Sequence, residues 1–291
     1  MISICIPVYN YDIGELLGEL RAQVNNIPQA VEIIVVDDAS DASIREVNQR
    51  KEHLADQFIC LPKNIGRSAI RNFLVEHARY EYQLFLDCDV LPLSKEFIVK
   101  YIHQLNSQPA VVYGGRVFPE HSPGKQQQLR WAYGKYIESK SATERKIDPY
   151  RNFHSNNFLI RKSIFETIQF DETFTGYGYE DSLFALRLKK SGITITHIDN
   201  PVMNVHIESN KTFLDQIDES MQNLVRMQSQ VDMSPVVSLI PNAHRYQWIV
   251  RLLPVRFNRV LREQLANGSG NLQLLQLYKL LTWRRTARQR R

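Results

Sequence analysis

The chain has 291 residues, of which 43% are hydrophobic and 23% are charged, so a sizeable globular core is available and disorder is not expected. Its three cysteines, Cys5, Cys60 and Cys88, lack the paired spacing of a zinc site or a disulfide framework, which favours a reducing cytoplasm. No leader pattern opens the sequence, and no apolar run approaches the roughly 20 residues that cross a bilayer. We therefore expect a cytoplasmic protein that does not span the membrane.

The net charge of +5 is unevenly distributed along the chain. Residues 242–291 contain eleven Lys or Arg and a single acidic residue, Glu263, whereas the preceding part of the chain is mildly acidic. A split of this kind is typical of an appendage that meets an anionic surface, either membrane or nucleic acid.

The first hundred residues alternate strand and helix patterns. Short apolar runs at residues 2–8, 32–36 and 82–86 predict buried strands, and apolar residues at helical spacing occupy the intervals. This rhythm predicts a Rossmann-like α/β fold with a mostly parallel central sheet and flanking helices. Ligands of such sheets bind beyond the carboxyl ends of the strands.

Polar segments stand at the ends of all three predicted strands: Pro7-Val8-Tyr9-Asn10, Asp37-Asp38 and Asp87-Cys88-Asp89. The first replaces the spaced glycines of a dinucleotide-binding fingerprint, which disfavours a nicotinamide enzyme. In the third, two carboxylates two residues apart on an extended chain would face the same side and could bind one hard cation. The alternative is a strand-end turn with exposed acids, and the spacing alone leaves both interpretations open.

A second acidic cluster, Glu180-Asp181, follows the glycine loop, the name used here for residues 176–179 (Gly-Tyr-Gly-Tyr). The amphipathic pattern at residues 182–190 predicts a helix that these acids open, where the helix dipole favours negative charge. The acids could therefore be ordinary helix-terminal residues. The glycines and tyrosines instead favour a mobile or tightly turned loop whose flat apolar faces suit sugar rings.

Met203 and His206 stand three residues apart in a short segment after Pro201. A single histidine is more often structural than a ligand, so this pair indicates a metal site only together with the other motifs. If the pair does bind a metal, its sulfur and nitrogen atoms suit a transition metal better than magnesium.

The stretch from residue 2 to about residue 208 resembles family 2 glycosyltransferases of the GT-A fold. The markers are Ile4-Cys5-Ile6-Pro7-Val8-Tyr9-Asn10, Val35-Val36-Asp37-Asp38-Ala39-Ser40, and Asn64-Ile65-Gly66 leading to Arg71-Asn72. Residues 156–206 are also similar to the C-terminal catalytic region of β-1,4-galactosyltransferases, through Phe170-Asp171-Glu172, Gly176-Tyr177-Gly178-Tyr179-Glu180-Asp181 and Met203-Asn204-Val205-His206. Each motif is weak alone, but the combination is specific.

This resemblance implies roles for individual residues. Those expected to hold the nucleotide-sugar are Pro7, Tyr9, Asp38, Arg71, Asp87 and Asp89. Those expected to hold the metal are Asp87, Asp89, Met203 and His206. Asp181 matches the catalytic base, and Glu180 matches the neighbour that holds the acceptor. Cys88 in the triplet and tyrosines in the glycine loop depart from the galactosyltransferase pattern, and these departures concern sugar specificity more than the chemistry.

The same resemblance implies the reaction. An inverting glycosyltransferase would move a sugar from a nucleotide-sugar, expected to be a UDP-sugar, to a hydroxyl of a glycan or lipid-linked acceptor in polysaccharide or glycoconjugate synthesis. A divalent cation would stabilise the leaving diphosphate, and Met and His ligands favour Mn²⁺ over Mg²⁺. Asp181 would accept the acceptor proton, and closure of the glycine loop would exclude water.

We expect a GT-A catalytic domain at residues 1–210, with a nucleotide-binding half at 1–113 and an acceptor half at 114–210, followed by a helical basic extension at 211–291. A basic amphipathic pattern, interrupted at Pro254, is carried by Trp248, Ile249, Arg251, Leu252, Leu253, Arg256, Arg259, Val260, Leu261, Arg262 and Leu265. A second apolar helix is predicted at 272–283. The extension either attaches peripherally to an anionic inner membrane face or packs as a helical cap.

Three other classes compete with this interpretation. A nucleotidyltransferase would share the fold and the paired acids, but its Gly-rich basic loop after the first strand is missing. A nucleic-acid-binding protein is suggested by the basic tail alone, which leaves the Asp motifs unexplained, so no nucleic-acid partner is expected. A catalytically inactive glycosyltransferase relative would keep the motifs without donor turnover.

Overall fold

The computed structural model describes residues 1–174, 176–227 and 256–289. The part of the basic amphipathic pattern from Trp248 to Pro254, and the last two arginines, lie outside these residues. The chain forms two compact units. The sheet unit comprises Met1–Phe118, Ser139–Thr173 and Glu180–His206, and the helical unit comprises Pro119–Glu138, Phe174–Tyr179 and the described residues from Ile207 onward.

Ten strands and eleven α-helices are found in the described residues. The strands are β1 (Ile2–Val8), β2 (Val31–Asp37), β3 (Gln57–Cys60), β4 (Tyr82–Leu86), β5 (Val90–Pro92), β6 (Val111–Tyr113), β7 (Arg116–Val117), β8 (Asn157–Arg161), β9 (Ile195–His197) and β10 (Val202–Asn204). The helices are α1 (Gly14–Val24), α2 (Ala42–Gln49), α3 (Arg67–His77), α4 (Phe97–Gln104), α5 (Gln128–Tyr133), α6 (Ala142–Ile147), α7 (Lys162–Thr167), α8 (Glu180–Lys190), α9 (Asn210–Met227), α10 (Arg256–Ala266) and α11 (Leu272–Gln289).

A seven-stranded sheet in the order β3-β2-β1-β4-β8-β6-β9 forms the centre of the sheet unit. Strands β3, β2, β1 and β4 are parallel to one another, and β9 is parallel to β6. Only β8 is antiparallel to its neighbours, β4 and β6, within this sheet. The predicted α/β fold with a mostly parallel sheet is confirmed, and a three-stranded sheet of β5, β10 and β7 accompanies it.

Helices cover both faces of the large sheet, which is why its central strands are buried along nearly their whole length. One apolar core includes Ile70 and Leu74 of α3 and Leu188 of α8. The other includes Leu16 of α1 and Ile98 of α4. Helices α3 and α8 therefore pack against the same core.

The predicted boundaries agree closely with the observed ones in the first half of the chain. The runs at 2–8 and 82–86 coincide with β1 and β4, and the run at 32–36 lies inside β2. The prediction that Glu180 and Asp181 open the helix that contains residues 182–190 is confirmed, because both acids lie in its first turn.

The helical unit has a core of its own. Leu261 and Leu265 of α10 and Tyr278 of α11 are buried, as the apolar pattern predicts for the two leucines, whereas Val260 is 56% exposed. Arg262 donates hydrogen bonds to Asp218 and Tyr278 and pairs with a second aspartate of α9. Among the described helices, none is long and apolar enough to cross a membrane.

Candidate functional site

Asp38, at the end of β2, anchors the loop that precedes α3. Its carboxylate accepts hydrogen bonds from the backbone N–H groups of Ile65 at 2.7 Å and Gly66 at 3.0 Å. Gly66 has φ of 86°, a conformation that favours glycine. Burial raises the pKa of Asp38 above its usual value, the two N–H donors oppose that effect, and the charge of Asp37 adds to it. Asp38 therefore fixes the start of α3 relative to β2.

The loop after β1 is joined to the loop after β2 by side-chain contacts. The backbone N–H of Asn10 donates to Ser40 Oγ at 2.8 Å, and that of Asp41 donates to Asn10 Oδ1 at 2.7 Å. Pro7 lies near the end of β1, and the adjoining Tyr9 is 53% exposed. The Tyr9 ring is therefore accessible to a flat ligand at the carboxyl end of the sheet.

Helix α3 connects the two acidic clusters. Arg71 is 3% exposed and donates to Asp87 Oδ1 at 2.7 Å and to the carbonyl of Arg67 at 2.8 Å. One turn earlier, Arg67 donates to Glu180 Oε1 at 2.9 Å. Sequence reasoning missed Arg67, because its partner lies 113 residues further along the chain. The available signal was a basic residue at the start of the helix after Asn64-Ile65-Gly66.

The Asp87-Cys88-Asp89 triplet forms a turn between β4 and β5. Cys88 and Asp89 have turn geometry, so of the two interpretations that the sequence left open the strand-end turn is observed, and the extended alternation of the two carboxylates is not. Asp87 contacts Arg71, whereas the backbone carbonyl of Asp89 accepts from the N–H of Val205 at 3.1 Å. Burial raises the pKa of the Cys88 thiol, with both aspartates adding to that effect. The thiol is therefore neutral at physiological pH.

Strand β10 brings the Met-x-x-His segment to this turn. Its antiparallel pairing with β5 places Met203 opposite Leu91, in the middle of the strand. Beyond the strand, the ring of His206 packs edge-on against Tyr11, with the ring centroids 6.0 Å apart. Burial raises the pKa of Tyr11 to about 12, and the charge of Asp89 contributes. Asp89 and His206 therefore both lie near Tyr11.

The chemistry of Asp89 and His206 fits a divalent transition metal, because carboxylate oxygen and imidazole nitrogen are both suitable ligands. Their segments meet through the hydrogen bond from Val205 to Asp89. In the described part of the chain, no group of three or more His, Cys, Asp or Glu side chains is arranged to hold a metal. A cation at this turn would therefore need further ligands, such as the oxygens of a diphosphate.

Asp181 lies in the first turn of α8, near the positive end of the helix dipole. Its Oδ2 is 3.3 Å from Nδ1 of His154, and its Oδ1 accepts from the N–H of Ser182 at 2.6 Å. Burial acts to raise the pKa of Asp181, but His154, the Ser182 N–H and Arg67 outweigh burial and lower it. Sequence reasoning did not identify His154, which no motif marks.

The glycine loop is held by α9 within the helical unit. The N–H of Tyr177 donates to Glu219 Oε2 at 3.0 Å, and Asn223 Nδ2 donates to the carbonyls of Tyr177 and Gly178. Gly178 has φ of 97°, and a Cβ at that position would lie 2.6 Å from Cβ of Ser220. The loop conformation therefore requires glycine at residue 178 on two independent grounds.

Two family models match the chain. The model described as glycosyl transferase family 2 matches residues 3–169, and the model described as N-terminal domain of galactosyltransferase matches residues 139–210. The first covers more than half of the chain, so this protein belongs to glycosyltransferase family 2. The resemblance inferred from the sequence motifs is confirmed.

A sequence relative supports this family assignment. Chondroitin synthase from Escherichia coli is 26% identical over 227 residues, covering 66% of this chain and 32% of that protein. The chain thus spans about a third of the length of this relative.

Solved structures share the fold. The crystal structure of S. aureus TarS 1-349 in complex with UDP-GlcNAc has a TM-score of 0.53 and 17% identity, covering 99% of this chain and 91% of that one. Mannosyltransferase PcManGT from Pyrobaculum calidifontis, in complex with GDP-Man and Mn²⁺, has a TM-score of 0.54 and 14% identity, covering 98% and 73%. The GT-A fold predicted from the sequence is confirmed.

Proposed function

We propose that the protein is a metal-dependent inverting glycosyltransferase that transfers a sugar from a UDP-sugar to a hydroxyl of a glycan or lipid-linked acceptor. The observation that carries the proposal is the link that α3 makes between the acidic clusters, through Arg71 to Asp87 and through Arg67 to Glu180. Family membership, the name of the chondroitin synthase relative and the UDP-GlcNAc complex of the structural neighbour support it. Polysaccharide or glycoconjugate synthesis is the proposed setting.

The donor nucleotide would bind at the carboxyl ends of β1 and β2. The exposed ring of Tyr9 can stack on the base, next to Pro7. Both oxygens of Asp38 already receive backbone N–H groups, but each retains a further lone pair for a base or ribose donor. Arg71 offsets the charge of Asp87, which reduces repulsion between that carboxylate and an incoming diphosphate.

Asp89 and His206 would hold a divalent cation, with Asp87 and Met203 as further candidate ligands. When bound, such a cation supplies Lewis-acid stabilisation of the charge that develops on the leaving diphosphate. The nitrogen ligand of His206 favours Mn²⁺ over Mg²⁺.

Asp181 would act as the general base. Its lowered pKa keeps the carboxylate ionised and able to accept the proton of the acceptor hydroxyl as the new glycosidic bond forms. Attack opposite the leaving diphosphate is a single displacement, which inverts the anomeric centre. Glu180, held by Arg67, would orient the acceptor through its second carboxylate oxygen.

The test is nucleotide release from UDP-glucose, UDP-galactose, UDP-GlcNAc, UDP-GalNAc, UDP-glucuronic acid, GDP-mannose and a dTDP-sugar, with Mn²⁺, Mg²⁺ or EDTA. We expect one UDP-sugar to be turned over with Mn²⁺, and EDTA to stop the reaction. Asp89→Ala and Asp181→Asn should each lower turnover by about 10²-fold or more. Asp148→Asn, an exposed carboxylate on the same unit, serves as the control and should keep full activity.

Donor binding distinguishes the proposed metal-binding role of Asp89 from the proposed role of Asp181 as the base. Calorimetry should show metal-dependent donor binding in Asp181→Asn but weakened binding in Asp89→Ala. Absence of release from every donor, together with absence of metal-dependent nucleotide binding, would refute the proposed function.

A further inference from the structure

Asn156, immediately before β8, has a buried side-chain amide that the described part of the chain leaves unpaired. The residue is 2% exposed, and neither Oδ1 nor Nδ2 has a hydrogen-bond partner among the described residues. The adjacent Asn157 differs, because its amide bonds to Tyr101, Gly115 and Asn200. A buried amide without partners costs about 1–3 kcal/mol, so the Asn156 amide calls for a polar partner from outside the chain, either an ordered water or a ligand.

The position of Asn156 follows from the register of β4 and β8. These antiparallel strands pair Leu86 with Asn157, and Asp87 and Asn156 are the residues just beyond that last pair. The N–H of Asp87 indeed donates to the carbonyl of Asn156 at 3.2 Å. Asn156 therefore lies beside Asp87 at the end of β4, two residues after the His154 that contacts Asp181.

The chemistry of the unpaired group limits what it can bind. A primary amide offers both donors and an acceptor. Diphosphate oxygens only accept and a metal cation needs only an acceptor, so either would leave part of the Asn156 amide unpaired. A hydroxyl group both donates and accepts. In the proposed reaction the donor sugar stands between the diphosphate, near Asp87, and the base, Asp181.

We infer that Asn156 is a specificity-determining residue whose amide oxygen accepts from one hydroxyl group of the donor sugar and whose amide nitrogen donates to another. This inference rests on the proposed function and adds the residue that selects the sugar.

The first test compares Asn156→Leu, an apolar replacement of similar shape, with wild type. For the donor turned over by wild type, kcat/KM should fall roughly 10- to 100-fold, whereas affinity for UDP should change less than about threefold. The thermal midpoint should stay the same or rise, because an unpaired buried amide has been removed. A loss of activity without a loss of stability is not expected of a merely structural residue.

Gln83→Leu is the matched control. Gln83 lies at the opposite end of β4, and its Oε1 is likewise buried without a partner among the described residues. Its replacement should leave both donor turnover and UDP affinity unchanged. An equal loss of activity in the Gln83 and Asn156 variants would show that any buried amide of this sheet matters, and the inference would fail.

The second test uses donor analogues that each lack one sugar hydroxyl. With one analogue, kcat/KM of wild type should be roughly 10- to 100-fold lower than with the complete donor. For Asn156→Leu, kcat/KM should be the same with that analogue as with the complete donor. Retention of donor kinetics within threefold by Asn156→Leu would overturn the inference, as would an equal loss of UDP and UDP-sugar affinity. Failure of the proposed function looks different, because wild type itself would then bind neither UDP nor any UDP-sugar.

Discussion

The proposed base, Asp181, is subject to opposing influences on its charge. Burial favours the neutral acid, but contacts with His154, the Ser182 N–H and the charge of Arg67 lower its pKa below the usual value. Asp181 therefore stays ionised to lower pH than an ordinary aspartate. The same shift stabilises the fold at pH values above the unfolded-state pKa of Asp181, and that stabilisation is lost as pH falls through the lower folded-state pKa.

His154→Leu tests the role of this contact in catalysis. Without the His154 partner the pKa of Asp181 should rise, so the acid limb of the kcat/KM profile should move to higher pH. We expect kcat to fall about 10-fold while the donor KM changes little. His154→Asn, which restores a donor near the position of Nδ1, should recover part of the rate, and the exposed His103→Leu should behave as wild type. An unchanged acid limb in His154→Leu would show that the contact does not tune the base.

At the scale of elements, the contact between the glycine loop and α9 predicts how Gly178→Ala changes the stability of the protein. Gly178→Ala would place a methyl group 2.6 Å from Cβ of Ser220 and also force an alanine into φ of 97°. Gly192→Ala provides the control, because Gly192 has φ of 70° but no neighbour within 4 Å of the point where a Cβ would lie. The free energy of unfolding of the Gly192→Ala control should fall by about 1–2 kcal/mol because of backbone strain. That of Gly178→Ala should fall by about 1–3 kcal/mol more because of the steric overlap.

Thermal and urea unfolding of the two variants, measured side by side, check this expectation. Hydrogen exchange should also show faster exchange of the Tyr177 N–H in Gly178→Ala, because a displaced loop loses its bond to Glu219. Equal destabilisation of the two glycine variants would mean that the loop shifts freely and is not held by α9.

Strands and helices could be predicted from the sequence where a local pattern of hydrophobicity is sufficient to define them. The run at 82–86 coincides with β4, because a short apolar run between polar boundaries is a property of those residues alone. The antiparallel direction of β8 was not predicted, since hydropathy carries no information about strand direction. The sequence left open whether the chain turns at Cys88 or stays extended, because the spacing of two aspartates is compatible with both, and the structure has the turn.

The candidate site likewise combines residues that the local sequence identifies with contacts that depend on distant parts of the chain. Motif positions such as Asp38 and Asp181 could be named from local sequence, and the nucleotide-binding role of Asp38 and the catalytic role of Asp181 remain predictions. The contacts that organise them could not be named. Arg67 meets Glu180 across 113 residues and His154 meets Asp181 across 27, and such pairings follow from the packing of α3 and α8 on one core. Asn156 is recognisable only once its burial and lack of partners in the described part of the chain are known.

At the scale of the whole molecule, the described part of the basic C-terminal extension is less available to an anionic surface than its composition indicates. Arg262 pairs with two aspartates of α9, and Lys279 is 8% exposed, with its Nζ 3.1 Å from the hydroxyl of Tyr133. Arg285 and Arg288 of α11 are exposed. The described part of the extension therefore combines an internally packed helical cluster with a small exposed basic surface.

This distribution of charge predicts weak, salt-sensitive membrane association. Wild type should co-sediment with vesicles containing phosphatidylserine at low salt but not with zwitterionic vesicles, and the binding should fall as salt shortens the screening length. Each exposed arginine contributes about 1 kcal/mol at an anionic surface, so Arg285→Gln with Arg288→Gln should weaken binding by roughly 30-fold. The control, Arg50→Gln with Lys63→Gln, removes the same charge from exposed positions of the sheet unit and should have little effect. Equal weakening by both double variants would attribute the binding to net charge, and absence of binding by wild type would favour the helical-cap interpretation of the extension.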